Sequence, residues 1–179
     1  VIRSETTVLS HDEMVSALRD YDVVMPTLGD GFDAGVFAEV AEPRCRLLAN
    51  FGVGFNHIDV AAASAAGVLV SNTPGAVTDA TADTALTLLL MSARRAAEGE
   101  RLVRSGDWPG WHPTQMLGQH VTGKTLGVIG MGRIGAAIAR RCHFGFGMQV
   151  FYTARSDKSP GFPVTRLPDL EQLAAQVDF

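Results

Sequence analysis

The chain has 179 residues, 46% of them hydrophobic, enough for one large core or two small ones and too apolar for a disordered polymer. Fifteen Lys and Arg against nineteen Asp and Glu leave a net charge of -4, which gives no electrostatic footprint for nucleic acid or an anionic membrane. The most apolar uncharged run, Thr84 to Ala93, is far short of the ~18 residues of a bilayer span, and no signal-peptide pattern opens the chain, so a cytoplasmic protein is expected. Cys45 and Cys142 lack metal spacing and are expected as free thiols, and His11, His57, His112, His120 and His143 show no ligand pattern, so no metal is expected.

In chain order, Ser10 to Glu13 has the form of a capping box, and Met14, Ala17 and Leu18 give the helix that follows an apolar face. Asp22 to Met25, Arg46 to Asn50 and Val68 to Val70 are brief strand candidates bounded by turn residues. Asp59 to Ala66 reads as an alanine-rich helix that Gly67 would end. Between strand and helix lies the glycine loop Asn50 to Asp59, whose backbone N–H groups could form an anion-binding concavity or be only a flexible connection.

A long helix is expected from Thr78. Ala82, Ala85, Leu86, Leu89, Leu90 and Ala93 form one apolar stripe, and Leu88 and Met91 make a second side apolar. Such a helix needs two burying surfaces, and a subunit interface is at least as good an explanation as a domain interior. After Arg94 the sequence turns polar and runs through Trp108 to Pro113, which has the composition of an irregular arm.

The second half begins near Gly123. Gly130-Met131-Gly132-Arg133-Ile134-Gly135 stands between the apolar run Leu126 to Ile129 and a helix opening Ala136 to Ala139, and a second strand is expected over Met148 to Tyr152. In this βαβ context the first glycine makes a tight turn and the second lets backbone approach a pyrophosphate. The third lets helix and strand pack closely, which reads as a dinucleotide-binding turn. NAD-selective sites place an acidic residue on the ribose 2'-hydroxyl roughly 20 residues further on. Here Tyr152 to Ser156 holds no carboxylate, and Arg155 and Ser156 could donate to a 2'-phosphate, so NADP(H) is favoured while NAD(H) stays possible, with Asp157 nearby. A last helix is expected over Pro168 to Gln176.

Taken together, Asn50 to Asp59, Ser71 to Gly75, Thr78 to Asp83, Arg94-Arg95 and Gly123 to Gly135 resemble the D-isomer-specific 2-hydroxyacid dehydrogenases, most of all their glyoxylate and hydroxypyruvate reductase branch. The resemblance covers essentially the whole chain. It implies an α/β protein: part of a flavodoxin-like substrate domain over residues 1–73, then part of a Rossmann doubly wound dinucleotide-binding domain over residues 74–179. It further implies NAD(P)H-dependent reduction of a small 2-keto acid to a D-2-hydroxy acid in a cleft between the two domains. By the same resemblance Val53 and Gly54 bind the substrate carboxylate, and Gly130, Gly132, Arg133, Ile134 and Gly135 hold the cofactor. Thr81 lies close to that cofactor, and the Thr78 helix with the Trp108–Trp111 arm forms a homodimer contact.

The family's catalytic arginine, acidic residue and histidine are expected beyond the point matching Phe179, and the first strand and helix of its N-terminal domain are expected before Val1. These 179 residues are therefore expected to be inactive alone, as a piece of a longer reductase. The alternative is a truncated relative that binds dinucleotide or a partner without catalysis. A methyltransferase using the glycine turn would leave the Val53 loop and the Thr73 to Gly75 turn unexplained. In a sheet of order 3-2-1-4-5-6, stopping at Phe179 is expected to leave the strand before the glycine turn with a bare apolar edge.

Overall fold

A computed structural model describes residues 5–179. The chain divides into two compact α/β units, Val1–Ala76 and Val77–Phe179, each built on its own three-stranded parallel sheet.

In the first unit, α1 (His11–Asp20) starts at a complete capping box: Glu13 N donates to Ser10 Oγ, and Ser10 N donates to Glu13 Oε2 at 2.8 Å. Its buried face is Met14, Val15, Ala17 and Leu18. The strands β1 (Val23–Val24), β2 (Leu47–Ala49) and β3 (Leu69–Ser71) lie side by side in that order, the first two shorter than the sequence suggests and the third shifted by one residue. A helix the sequence reading misses, α2 (Ala34–Ala38), is capped by the Asp33 carboxylate on Val36 N. α3 (Val60–Ala65) is capped the same way by Asp59 on Ala62 N, and Gly67 follows it at φ +75°. Leu18, Phe32, Val36, Cys45, Leu48 and Ala63 fill the core. Phe32 pairs with Ile58 across an isolated bridge, and Asp59 N donates to Phe32 O, which anchors the far end of the glycine loop.

In the second unit, α4 (Thr78–Ala93) packs against α6 (Arg133–Phe146), and Arg141 of α6 reaches back to Asp79 and Asp83 of α4 at 2.9 and 2.7 Å. Between them in sequence, Arg95 in the left-handed region (φ 54°) turns the chain into α5 (Ala96–Ser105), a helix where only a polar connection is expected from the sequence. The arm after α5 is irregular, as expected, and folds back on the end of α4 through Gln119 N to Ala93 O at 2.7 Å.

The sheet orders β4 (Thr125–Ile129), β5 (Gln149–Thr153) and a two-residue β6 (Thr165–Arg166), with α7 (Leu170–Gln176) beside β4. Leu126, Val128, Ala139, Cys142, Met148, Val150 and Tyr152 are its core. The edge of β4 expected to be bare is covered at its start, from Thr125 to Gly127. After α7 the chain turns along that edge, Phe179 N donates to Thr125 O at 3.2 Å, and Gly127 N donates to Phe179 O at 2.7 Å. This is the reciprocal pattern by which a parallel strand brackets one residue of its neighbour, here Leu126. Asp178 adds a side-chain tie, accepting from both N and Oγ1 of Thr125.

Among the described residues no helix is long and apolar enough to cross a membrane. Cys45 and Cys142 are buried and unpaired, and burial pushes both thiols up from their ordinary value.

Candidate functional site

β4 delivers the chain to Gly130, whose φ of +91° lets the strand reverse into α6. Gly130 N donates to Thr153 O at 2.9 Å, so the turn is fixed to the end of β5. At Gly135 a Cβ would stand 2.1 Å from Gly130 O and 3.1 Å from Val128 Cγ1, so only glycine lets α6 seat this closely. A Cβ at Gly132 would meet nothing within 4 Å, so backbone here faces open space. Gly132 is also the N-cap of α6 and supplies no side-chain bond. The first-turn N–H groups of Arg133 and Ile134 therefore have no acceptor among the described residues.

In front of this turn lies a groove of about 670 Å³, within the size range of small-molecule sites. Ile129, Gly130, Met131 and Gly132 form one wall, and Thr153, Ala154, Arg155, Ser156 and Lys158 form the other. Of the residues singled out in the sequence, the structure brings Gly130, Gly132, Arg155 and Ser156 to the groove. Arg133, Ile134 and buried Gly135 stand behind the turn in the first turn of α6. Thr81 is exposed on α4 and does not line the groove.

Lys158 is the residue that sequence reading misses. Its signal is a second cation three residues after Arg155, and its backbone is held by buried Tyr152, whose Oη accepts from Lys158 N at 2.8 Å. Asp157, which the sequence leaves free to face the ribose, is instead paired with Arg166 at 2.9 Å. Open backbone for a pyrophosphate, a phosphate-friendly helix start and cations at the far end form a set that fits a dinucleotide.

The first unit carries a second glycine site. After β2, Asn50 is only 2% exposed and works as a strut: its Nδ2 donates to Gly52 O at 3.0 Å and to Gly54 O at 2.8 Å. With both amide protons used, Asn50 Oδ1 accepts from His57 Nε2 at 3.0 Å, which assigns the proton of that ring to Nε2. Asn72 Nδ2 takes Val53 O at 2.8 Å, and Thr73 N takes Gly52 O. Three successive carbonyls are thus tied inward, while the N–H groups of Val53 and Gly54 have no acceptor among the described residues. A loop with its acceptors satisfied and its donors open suits a carboxylate.

The family description "D-isomer specific 2-hydroxyacid dehydrogenase, NAD binding domain" matches residues 86–179, just over half of the chain and all of the glycine turn and groove. The chain belongs to the D-isomer-specific 2-hydroxyacid dehydrogenase family. A glyoxylate reductase of Korarchaeum cryptofilum is 45% identical over 170 residues, covering 93% of this chain and 50% of the relative. Among solved structures, a protein of Thermus thermophilus superposes with a TM-score of 0.86 at 40% identity, covering 95% of this chain and 53% of that one. The NADPH-dependent glyoxylate/hydroxypyruvate reductase of Sinorhizobium meliloti, solved with citrate, gives 0.77 at 35% identity, covering 91% and 50%. The chain spans about half the length of the curated relatives it matches. The groove at the glycine turn lies within the residues that match this family's NAD-binding domain.

Proposed function

We propose that the protein containing this chain reduces a small 2-keto acid, glyoxylate or hydroxypyruvate, to the D-2-hydroxy acid, using NADPH in preference to NADH. The observation that carries the reading is the composition of the groove's far wall: Arg155, Ser156 and Lys158 face it, and the nearby carboxylate Asp157 is bonded to Arg166 instead. A 2'-phosphate finds cations there and no repelling charge. The glyoxylate reductases among its relatives and the NADPH-dependent enzyme of S. meliloti support the same reading.

When bound, the nicotinamide supplies the hydride. In this reading the chain's own residues position: Gly130 to Gly135 hold the pyrophosphate, Thr81 lies near the cofactor, and the Val53 and Gly54 N–H groups orient the substrate carboxylate. No histidine of this chain is assigned as proton donor. The acid, its carboxylate partner and the orienting arginine are proposed to lie outside these 179 residues. We also propose a homodimer contact on α4 and the arm. Leu88 is 61% exposed, Met91 40% and Trp111 80%, a density of apolar side chains that a lone surface does not need.

The test is a substrate panel on the intact protein. Glyoxylate and hydroxypyruvate should oxidise NADPH, glyoxylamide, which lacks the carboxylate, should be poor, and Arg155→Ala should raise KM for NADPH while sparing NADH. Equal turnover of glyoxylate and its amide would remove the role given to Val53 and Gly54.

A further inference from the structure

The five residues after β5, Ala154–Lys158, are cross-tied from two sides. Tyr152 is buried, and its Oη accepts from Lys158 N at 2.8 Å and donates to Lys158 O at 3.3 Å. Arg166 sits directly opposite Tyr152 in the β5–β6 register. Its guanidinium forks: Nη2 donates to Ala154 O at 2.8 Å, and Nη1 donates to Asp157 Oδ1 at 2.9 Å. Both ends of the loop are therefore fixed by neighbours on the sheet, and the middle presents its side chains in a set order.

That order separates two opposite chemistries. Arg155, Ser156 and Lys158 line the groove, while Asp157, the one carboxylate in the segment, does not. A carboxylate facing the ribose accepts from its hydroxyls and repels a phosphate monoester, and a guanidinium with an ammonium does the reverse. The same five residues thus contain the group that would select either cofactor.

We propose that Arg166 is a positioning residue for cofactor selection. By holding Asp157 against β6 it keeps that carboxylate off the groove and leaves Arg155, Ser156 and Lys158 to receive a ribose 2'-phosphate. This rests on the NADPH reading given above. It adds that the selectivity is stored in an ion pair outside the groove and not in Arg155 alone. The pair is exposed on the Asp157 side, so it contributes little to stability and variants on either side are expected to fold.

The experiment is titration of the intact protein with NADPH and with NADH, read by nucleotide fluorescence, for the wild type, Arg166→Gln, Asp157→Asn and the double variant. Arg166→Gln frees the carboxylate and should lower the NADPH-to-NADH affinity ratio about tenfold, equivalent to ~1.4 kcal/mol. Asp157→Asn breaks the same pair from the other side yet removes the charge, so NADPH affinity should hold or rise, and the double variant should regain the wild-type ratio. A merely structural role, exerted through the Arg166 bond to Ala154 O, would leave the double variant as poor for NADPH as Arg166→Gln, and that result overturns the proposal. A wild-type NADPH preference that Arg166→Gln leaves intact overturns this inference alone. A wild type with no such preference overturns the cofactor reading and this inference with it.

Discussion

Gly130 N donates to Thr153 O across 2.9 Å, joining the turn at the end of β4 to the last residue of β5. One hydrogen bond thereby sets the spacing between the wall that meets a pyrophosphate and the wall that carries Arg155, Ser156 and Lys158. The three glycines around it serve different ends, and substitutions should separate them. Gly135→Ala forces a Cβ against Gly130 O and should destabilise the protein by about 1–3 kcal/mol, with cofactor binding lost as a consequence. Gly132→Ala meets open space, so thermal unfolding should stay near the wild type while dinucleotide affinity falls. Melting curves alongside cofactor titration check both halves.

Asn50 is the corresponding strut of the Val53 loop. Asn50→Ala leaves Gly54 O and His57 Nε2 without their partner and should cost about 1–3 kcal/mol of stability. Because the loop's N–H groups then lose their fixed outward orientation, KM for the keto acid should rise well beyond any fall in kcat. A variant with unchanged KM would show that the loop does not hold the carboxylate.

Much of this was legible locally. Ser10 and Glu13 announce α1 because the two partners of a capping box stand three residues apart, and the glycine turn is readable because its neighbours have strand and helix periodicity. What escaped is either polar or distant. α5 buries no residue and is propped by surface pairs, Arg95 with Glu98 and Arg104 with Glu100, and its short apolar side, Leu102 and Val103, is masked by the charged residues around it. The Asp157–Arg166 pair spans nine positions and the Thr125–Asp178 seam fifty-three, and neither leaves a periodic mark. The second seam is why the start of the β4 edge, Thr125 to Gly127, is covered where the strand order alone suggests exposure.

The surface of α4 and the arm supports a simple oligomer test. Leu88→Glu with Met91→Glu places two charges where apolar side chains stand exposed, so the monomer fold should persist while association fails. Sedimentation should show two chains for the wild type and one for the variant. A wild-type monomer at micromolar concentration would exclude the proposed contact.

The Asp178 seam should be acid-sensitive. Bonds from Thr125 N, then from its hydroxyl, hold the Asp178 carboxyl below its ordinary value, with Lys124 adding to the effect. A lowered folded-state value means that the stabilisation is present above the ordinary carboxylate range and is lost as pH falls through the lowered value. Protection of the Gly127 amide, which donates to Phe179 O, should therefore drop on acidification before that of the β4–β5 ladder, and Asp178→Asn should remove the pH dependence. Hydrogen exchange measured at several pH values decides it.

In the function proposed above, this chain positions cofactor and keto acid while the proton donor lies elsewhere in the protein. The most direct measurement is glyoxylate-dependent oxidation of NADPH, followed for the product of the intact gene and for residues 1–179 expressed alone, with both masses confirmed. Steady oxidation is expected from the first and none above buffer from the second, since positioning without an acid forfeits a factor of ~10² to 10⁴ from that contribution alone. Turnover by the 179 residues alone, or none by the intact protein with either glyoxylate or hydroxypyruvate, would contradict it.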